Sequence, residues 1–259
     1  MNEEQKFVFD LSGYVVIPEV ISRAQAQEIK EQIRLMQTDP EALPPSARGI
    51  PGGKIADLID HPVVLDVLHE VVGQEVRLES CHLTWRDHGQ AHSQGLHQGG
   101  PMHEPWFHYH VTNGTIDAAM CRVVWELEDV GPDDGGTVFL AGSHKANFPL
   151  PESQKSLEEG ARSPFLHGYS CPAGSVVIFT ENLAHAGPPW RNPDHPRVAV
   201  FFAYNHLCIN HHRPTFSPEA IAAMTPSQQS FFRGVWNYDF KKSVPNTVGE
   251  GMVVPASVG

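Results

Sequence analysis

Short runs of β-branched and aromatic residues, each closed by Gly, Pro, Asp or Asn, dominate the chain from Val76 onward. They read "VRLESCHLTW", "AAMCRVVWELEDV", "GGTVFLAGS", "GSVVIFT" and "RVAVFFAYN". Their β-branched and aromatic make-up and even punctuation predict antiparallel strands. Many such strands must close on themselves or pack as two sheets to bury their apolar faces. The expected fold is therefore mainly β, a jelly-roll or double-stranded β-helix barrel. "GPDDGG", between Val130 and Thr137, supplies the Asp and Gly of a hairpin-type turn.

The first 75 residues have another texture and read as a helical scaffold. After a short strand in "GYVVIPEVIS", Ser22 and Gln25 form a capping box, and Ala26, Ile29, Ile33 and Met36 recur at helical spacing. A second helix is expected at Pro62, with Val64, Leu65, Leu68, Val71 and Val72 apolar and Gly73 as its stop. The Pro/Gly-rich connector "TDPEALPPSARGIPGGK" between them is too long for a tight turn, and it reads as a lid or surface loop. The expected organisation is one domain over 1–259, with a helical layer to about 75, the jelly roll over about 76–205 and a C-terminal extension over 206–259.

Composition excludes several classes. A net charge of -12 repels nucleic acid and anionic membrane surfaces. Four scattered cysteines, Cys81, Cys121, Cys171 and Cys208, lack zinc-knuckle spacing and read as the reduced thiols of a cytoplasmic protein. The acidic start "MNEEQKFVFD" has no apolar signal core, and no run is long enough to span a membrane. The expected partner is a small organic substrate. Oligomeric state is not readable.

Chemistry concentrates in two places. "GLHQGGPMHEPWFHYH" holds His97, His103, His108 and His110, and "FTENLAHAGPPWRNPDHPRVAVFFAYN" holds His185 and Arg197. Imidazoles from distant strands can meet at a barrel mouth and hold a metal that keeps open positions. Alternation places Arg197, Ala199, Phe201 and Ala203 on one face. That guanidinium could grip a carboxylate inside, or point to solvent while Val198, Val200, Phe202 and Tyr204 fill the core.

From Phe7 to Asn205 the sequence resembles the phytanoyl-CoA dioxygenase family. "FDLSGYVVIPEVIS", "DHPVVLDVLHEVVGQEVRL", "WELEDVGPDDGGTVFLAGSHK", "PAGSVVIFTENLAHAGPPW" and "HPRVAVFFAYN" carry the likeness. The resemblance implies a jelly roll that uses Fe(II), 2-oxoglutarate and O2 to hydroxylate or otherwise oxidise a C–H bond. It assigns His97 and His185 to the metal and Arg197, rather than Arg191 in the Pro-rich loop, to 2-oxoglutarate. One departure stands out: the family's H-x-D motif reads His97-Gln98-Gly99, so the carboxylate is missing. A chloride or bromide at Gly99 would make the chain a radical halogenase. Glu181 or Glu104 could instead supply the acid, or the site could be a non-catalytic small-molecule or metal binder. A closed structural zinc site is disfavoured by the scattered cysteines. Trp106, His108 and His110 are the candidate substrate contacts, with the substrate lying under the connector near residues 39–54 and the insertion "PMHEPWFHYHVTNG".

Overall fold

Three helices lie in the first part of the chain, two of them opened by capping boxes. In the computed structural model, which describes residues 1–92, 95–99, 107–158, 160–211 and 215–235, α1 (Glu3–Ser12) starts at a capping box of Asn2 and Gln5 and ends at Gly13 with φ 87°. The strand pattern gave no sign of this helix, whose only buried side chain is Phe9. The helices α2 (Arg23–Thr38) and α3 (Pro62–Val71) stand where their signals place them. Ser22 and Gln25 cap α2 reciprocally, and Pro62 opens α3.

Ten strands follow the two-residue period. They are β1 (Tyr14–Ile17), β2 (Val76–Arg86), β3 (His110–Thr112), β4 (Thr115–Asp117), β5 (Met120–Glu126), β6 (Val138–Leu140), β7 (Leu166–His167), β8 (Val176–Thr180), β9 (His185–Ala186) and β10 (Arg197–His206). The main sheet has the order β1-β8-β5-β10-β2, every neighbouring pair antiparallel. A smaller sheet has the order β7-β6-β9, and β3-β4 is a separate hairpin. The strands thus form two packed sheets without joining into a closed barrel. The acidic turn has the expected chemistry, with Gly131 N–H donating to Asp134 Oδ2 at 2.8 Å and Gly135 at φ 91°. It carries the chain from the main sheet to the small one instead of joining two neighbours in a hairpin.

Both faces of the main sheet are buried, each by a different layer. Val123, Trp125, Ile178, Val198, Val200, Phe202 and Tyr204 share one core with Ile29, Ile33, Leu58, Val64, Val67 and Leu68 of the helical layer. Tyr204 fastens the two through its hydroxyl, which donates to the Ile59 carbonyl at 2.8 Å. On the other face Val124, Val177, Phe179 and Ala199 pack against Phe139 of the small sheet, with Tyr169 and Trp190. Side chains that alternate along β10 therefore enter two cores. Two short helices, α4 (Pro218–Ala222) and α5 (Pro226–Ser230), bring Phe216, Ile221, Phe231 and Phe232 into the helical core.

The connector is not a lid. It coils as three short 3-10 turns against α2, where the buried Gln32 donates to the Ala47 and Gly52 carbonyls and accepts from Lys54 N–H. Internal polar pairing of this kind spares a Pro/Gly segment from needing solvent. The helical layer lies against the face of the main sheet opposite the two-histidine segment, so residues 39–54 do not cover it. Among the described residues no helix is long and apolar enough to cross a membrane.

Candidate metal and anion site

A backbone bridge brings the two histidine segments together. His97 N–H donates to the His185 carbonyl at 3.1 Å, and His185 N–H donates to the His97 carbonyl at 2.8 Å. Residues paired this way project their side chains to one side of the ladder, and the ring centroids lie 4.4 Å apart. Each ring is then fixed by its own turn: His97 Nδ1 meets the Gly95 carbonyl and His185 Nδ1 meets the Leu183 carbonyl, both at 2.7 Å. A carbonyl only accepts, so the proton sits on Nδ1 and the Nε2 lone pair is left for a metal. Burial pushes His185 down to about 4, with neighbouring His97 adding to the effect and Glu181 opposing it, which keeps this imidazole neutral.

The rings open into a cavity of about 100 Å³ whose wall includes His82, Thr84, Arg86, Arg122, Thr137 and Arg197. Arg197 points inward, toward the small sheet, and only 1% of it is exposed. Its Nη2 donates to Glu126 Oε1 at 2.5 Å, and to Thr137 Oγ1 and Tyr169 Oη at 3.0 Å each; Nε reaches Glu126 Oε2 at 3.3 Å. The inward guanidinium and the apolar packing of Val198, Val200 and Phe202 are both realised, because β10 has no solvent face. Arg191 is exposed on the loop.

Gly99 answers where the acid went. Its N–H donates to the Glu181 carbonyl at 2.9 Å. A Cβ built at this position would lie 1.9 Å from Glu181 Oε1, 2.3 Å from Cγ and 2.4 Å from Cδ. The side chain of Glu181 thus fills the room that a residue-99 side chain would take. It is 3% exposed and paired with Arg122, whose Nε donates to Oε2 at 2.5 Å and Nη2 to Oε1 at 3.3 Å. Glu181 therefore occupies the room that a halide at Gly99, one of the alternatives the sequence left open, would need. Among the described residues no three His, Cys, Asp or Glu side chains converge closely enough to hold a metal. The donor set is the two imidazoles, with a clamped carboxylate beside them.

The expected substrate contacts fare differently. His108 and His110 stack at 5.8 Å but line a second cavity, of about 200 Å³, with Gln98, His144, Lys145 and Asn182. They flank the His97–Gly99 loop from outside the two-histidine cavity, because β3 belongs to the separate hairpin. Trp106 and Glu104 lie outside the described residues. Reasoning from sequence missed Glu126, Arg122 and Arg86. The signal existed: in "MCRVVWE", Arg122, Val124 and Glu126 share a face, so two charges lie in phase within an otherwise apolar strand.

Fold and site together define a two-sheet jelly roll with a paired-imidazole centre and a cationic pocket beyond it. A profile of the phytanoyl-CoA dioxygenase family matches residues 9–199, and the chain belongs to that family. Dioxygenase af480 of Aspergillus fumigatus is 23% identical over 212 residues, 74% of this chain; the chain spans 62% of that relative's length. HygX from Streptomyces hygroscopicus, solved with nickel and 2-oxoglutarate bound, superposes with a TM-score of 0.69 at 24% identity, covering 82% of this chain and 90% of its own. The epimerase SnoN, in complex with Fe3+, alpha ketoglutarate and nogalamycin RO, gives 0.53 at 16% identity, covering 86% and 90%. At these identities the structural likeness establishes the fold.

Proposed function

We propose that this protein is a non-haem iron(II)/2-oxoglutarate-dependent oxidoreductase that oxidises a C–H bond of a small organic substrate. The observation that carries the reading is the His97–His185 pair, both rings fixed through Nδ1 and sharing one cavity with Arg197. Two neutral imidazoles suit a divalent metal, and the guanidiniums suit a dicarboxylate cosubstrate. Iron(II) with 2-oxoglutarate and O2 supplies the oxidising power: one oxygen atom ends in succinate, carbon dioxide leaves, and the other reaches the substrate. The chain's part is to hold and orient. His97 and His185 would hold the metal, Arg197, itself held by Glu126, Tyr169 and Thr137, would anchor the distal carboxylate, and Phe179, packed on the His185 ring with centroids 4.8 Å apart, gives the cavity an apolar wall.

Glu181 is the acid of this site in the reading. It stands in for the missing residue-99 side chain, either as a ligand after turning from Arg122 or as a counter-charge behind the metal. Its negative charge favours hydroxylation or a related oxidation over halogenation. Free cysteines among the described residues support a reducing, cytoplasmic setting.

The test follows succinate formation with iron(II), 2-oxoglutarate and candidate substrates, with and without chloride or bromide, alongside calorimetry of metal binding. Metal binding lost in both His97→Ala and His185→Ala, and oxygen-dependent succinate in the parent, are expected. Metal binding without succinate for any substrate would favour a non-catalytic binder, the reading that the Arg122 clamp on Glu181 supports. Halogenated product would restore the halide reading. Glu181→Gln separates the two roles of the acid: a counter-charge behind the metal predicts metal binding weakened roughly 10–100-fold, the range seen for supporting groups, and a ligand predicts a larger loss.

A further inference from the structure

The floor of the two-histidine cavity is built by the antiparallel pairing of β2 with β10. Arg86 lies opposite Arg197, Thr84 opposite Ala199, and His82 opposite Phe201. All six line the cavity except the small Ala199, which leaves space above the Thr84 pair. Like charges placed directly opposite on a sheet repel, so the Arg86–Arg197 pair needs anions nearby. One is present: Glu126 takes Nε and Nη2 of Arg197. Arg122 likewise has Glu181. Arg86 makes no ion pair among the described residues. Its Nη1 donates to the Pro188 carbonyl at 2.9 Å, and its Nε is buried without a hydrogen-bond partner, on a side chain 7% exposed.

The surroundings keep that guanidinium in place. A Cβ on Gly187 would meet His92 Cβ at 3.0 Å and Arg86 Nη1 at 3.1 Å, so the glycine two residues after His185 gives Arg86 its room. A buried guanidinium with no salt bridge of its own and an unpartnered Nε is costly unless an anion completes it. Burial, reinforced by the charge of Arg197, draws Arg86 down to about 10, with Glu126 and Tyr169 opposing.

We propose that Arg86 is a second anchor for the distal carboxylate of 2-oxoglutarate, supplying the open positive charge at a site where Glu126 already compensates Arg197. The inference rests on the proposed cosubstrate and adds a residue to its binding. Arg197, held by Glu126, Tyr169 and Thr137, orients the carboxylate; Arg86 provides the charge that distinguishes a dicarboxylate from a monocarboxylate.

The test is calorimetric binding of 2-oxoglutarate and of 2-oxobutyrate, which lacks the distal carboxylate, to the nickel-loaded protein. The parent should prefer 2-oxoglutarate. Arg86→Gln should lose at least about tenfold of that preference, the scale of one charge-assisted hydrogen bond, while 2-oxobutyrate binding stays unchanged. Arg86→Lys should keep part of it. Gly187→Ala, which presses on the guanidinium without altering its charge, should weaken 2-oxoglutarate selectively and keeps the test decisive if Arg86→Gln fails to fold. A parent that binds neither acid would sink the cosubstrate reading itself. A parent that discriminates, with Arg86→Gln and Gly187→Ala discriminating equally well, would remove Arg86 alone.

Discussion

Restoring the family's aspartate at residue 99 is the substitution a sequence comparison recommends, and the structure predicts that it damages the protein. The Cβ of Gly99→Asp would fall 1.9 Å from Glu181 Oε1 and within 2.4 Å of two further Glu181 carbons. No rotamer of the new side chain relieves this, because the conflict begins at Cβ. Glu181 must turn away, and it is 3% exposed and clamped by Arg122. Breaking a buried ion pair while its members stay buried costs about 3–5 kcal/mol. At this chain length each kcal/mol moves the thermal midpoint by about 2–4 °C, so a loss of ~3 kcal/mol predicts a fall of about 6–12 °C. Gly99→Ala should fall nearly as far, since it shares the Cβ. The double variant Gly99→Asp/Glu181→Ala empties the contested space and leaves the introduced carboxylate beside Arg122, so it should recover much of the loss as a coupling between the two sites. Thermal unfolding of the four proteins, with metal binding measured by calorimetry, decides the matter. An unchanged midpoint in Gly99→Asp together with tighter metal binding would refute the claim that Glu181 fills that place.

Two other outcomes follow from the same geometry. His144 is buried with its Nε2 3.1 Å from the Asp10 carbonyl, and burial pulls it down to about 4, the Asp10 contacts opposing and Lys145 assisting. The unfolded chain takes up this proton near 6.5, so its contribution is complete above that pH and disappears as pH falls toward 4; the gap corresponds to roughly 3 kcal/mol. Urea unfolding at neutral and acid pH should show His144→Phe with a flatter acid limb than the parent, and an identical limb would contradict this. Phe139 is fully buried between Tyr14, at a ring-centroid distance of 4.4 Å, and Phe179, at 4.9 Å. Phe139→Ala should cost about 3–5 kcal/mol of unfolding free energy, and a value near zero in urea titration would mean that the small sheet is not packed on the main one.

How far the sequence reached differs from element to element. Ser22, Gln25 and Pro62 are local signals, and local hydrogen bonding and backbone geometry realise them where they stand. The period-2 runs produced strands because alternation is a property of the pleat itself. The helix α1 escaped because its exposed Phe7 and Leu11 break the expected apolar stripe, although Asn2 and Gln5 carried a capping box. Whether the connector was a lid or a surface loop was not legible, because the partner that ties it down, Gln32, lies on another element.

Residue types and their order determined which groups were available: two histidines, an arginine in phase with Ala199 and Phe201, and a glycine where an acid was expected. Only the tertiary structure decided what those groups meet. Glu126 reaches Arg197, Glu181 fills the space at Gly99, and Arg86 lies across from Arg197 because strand pairing and sheet packing bring together residues far apart in the chain. Side-chain contacts across sheets depend on register and layer order, which no local window of sequence contains.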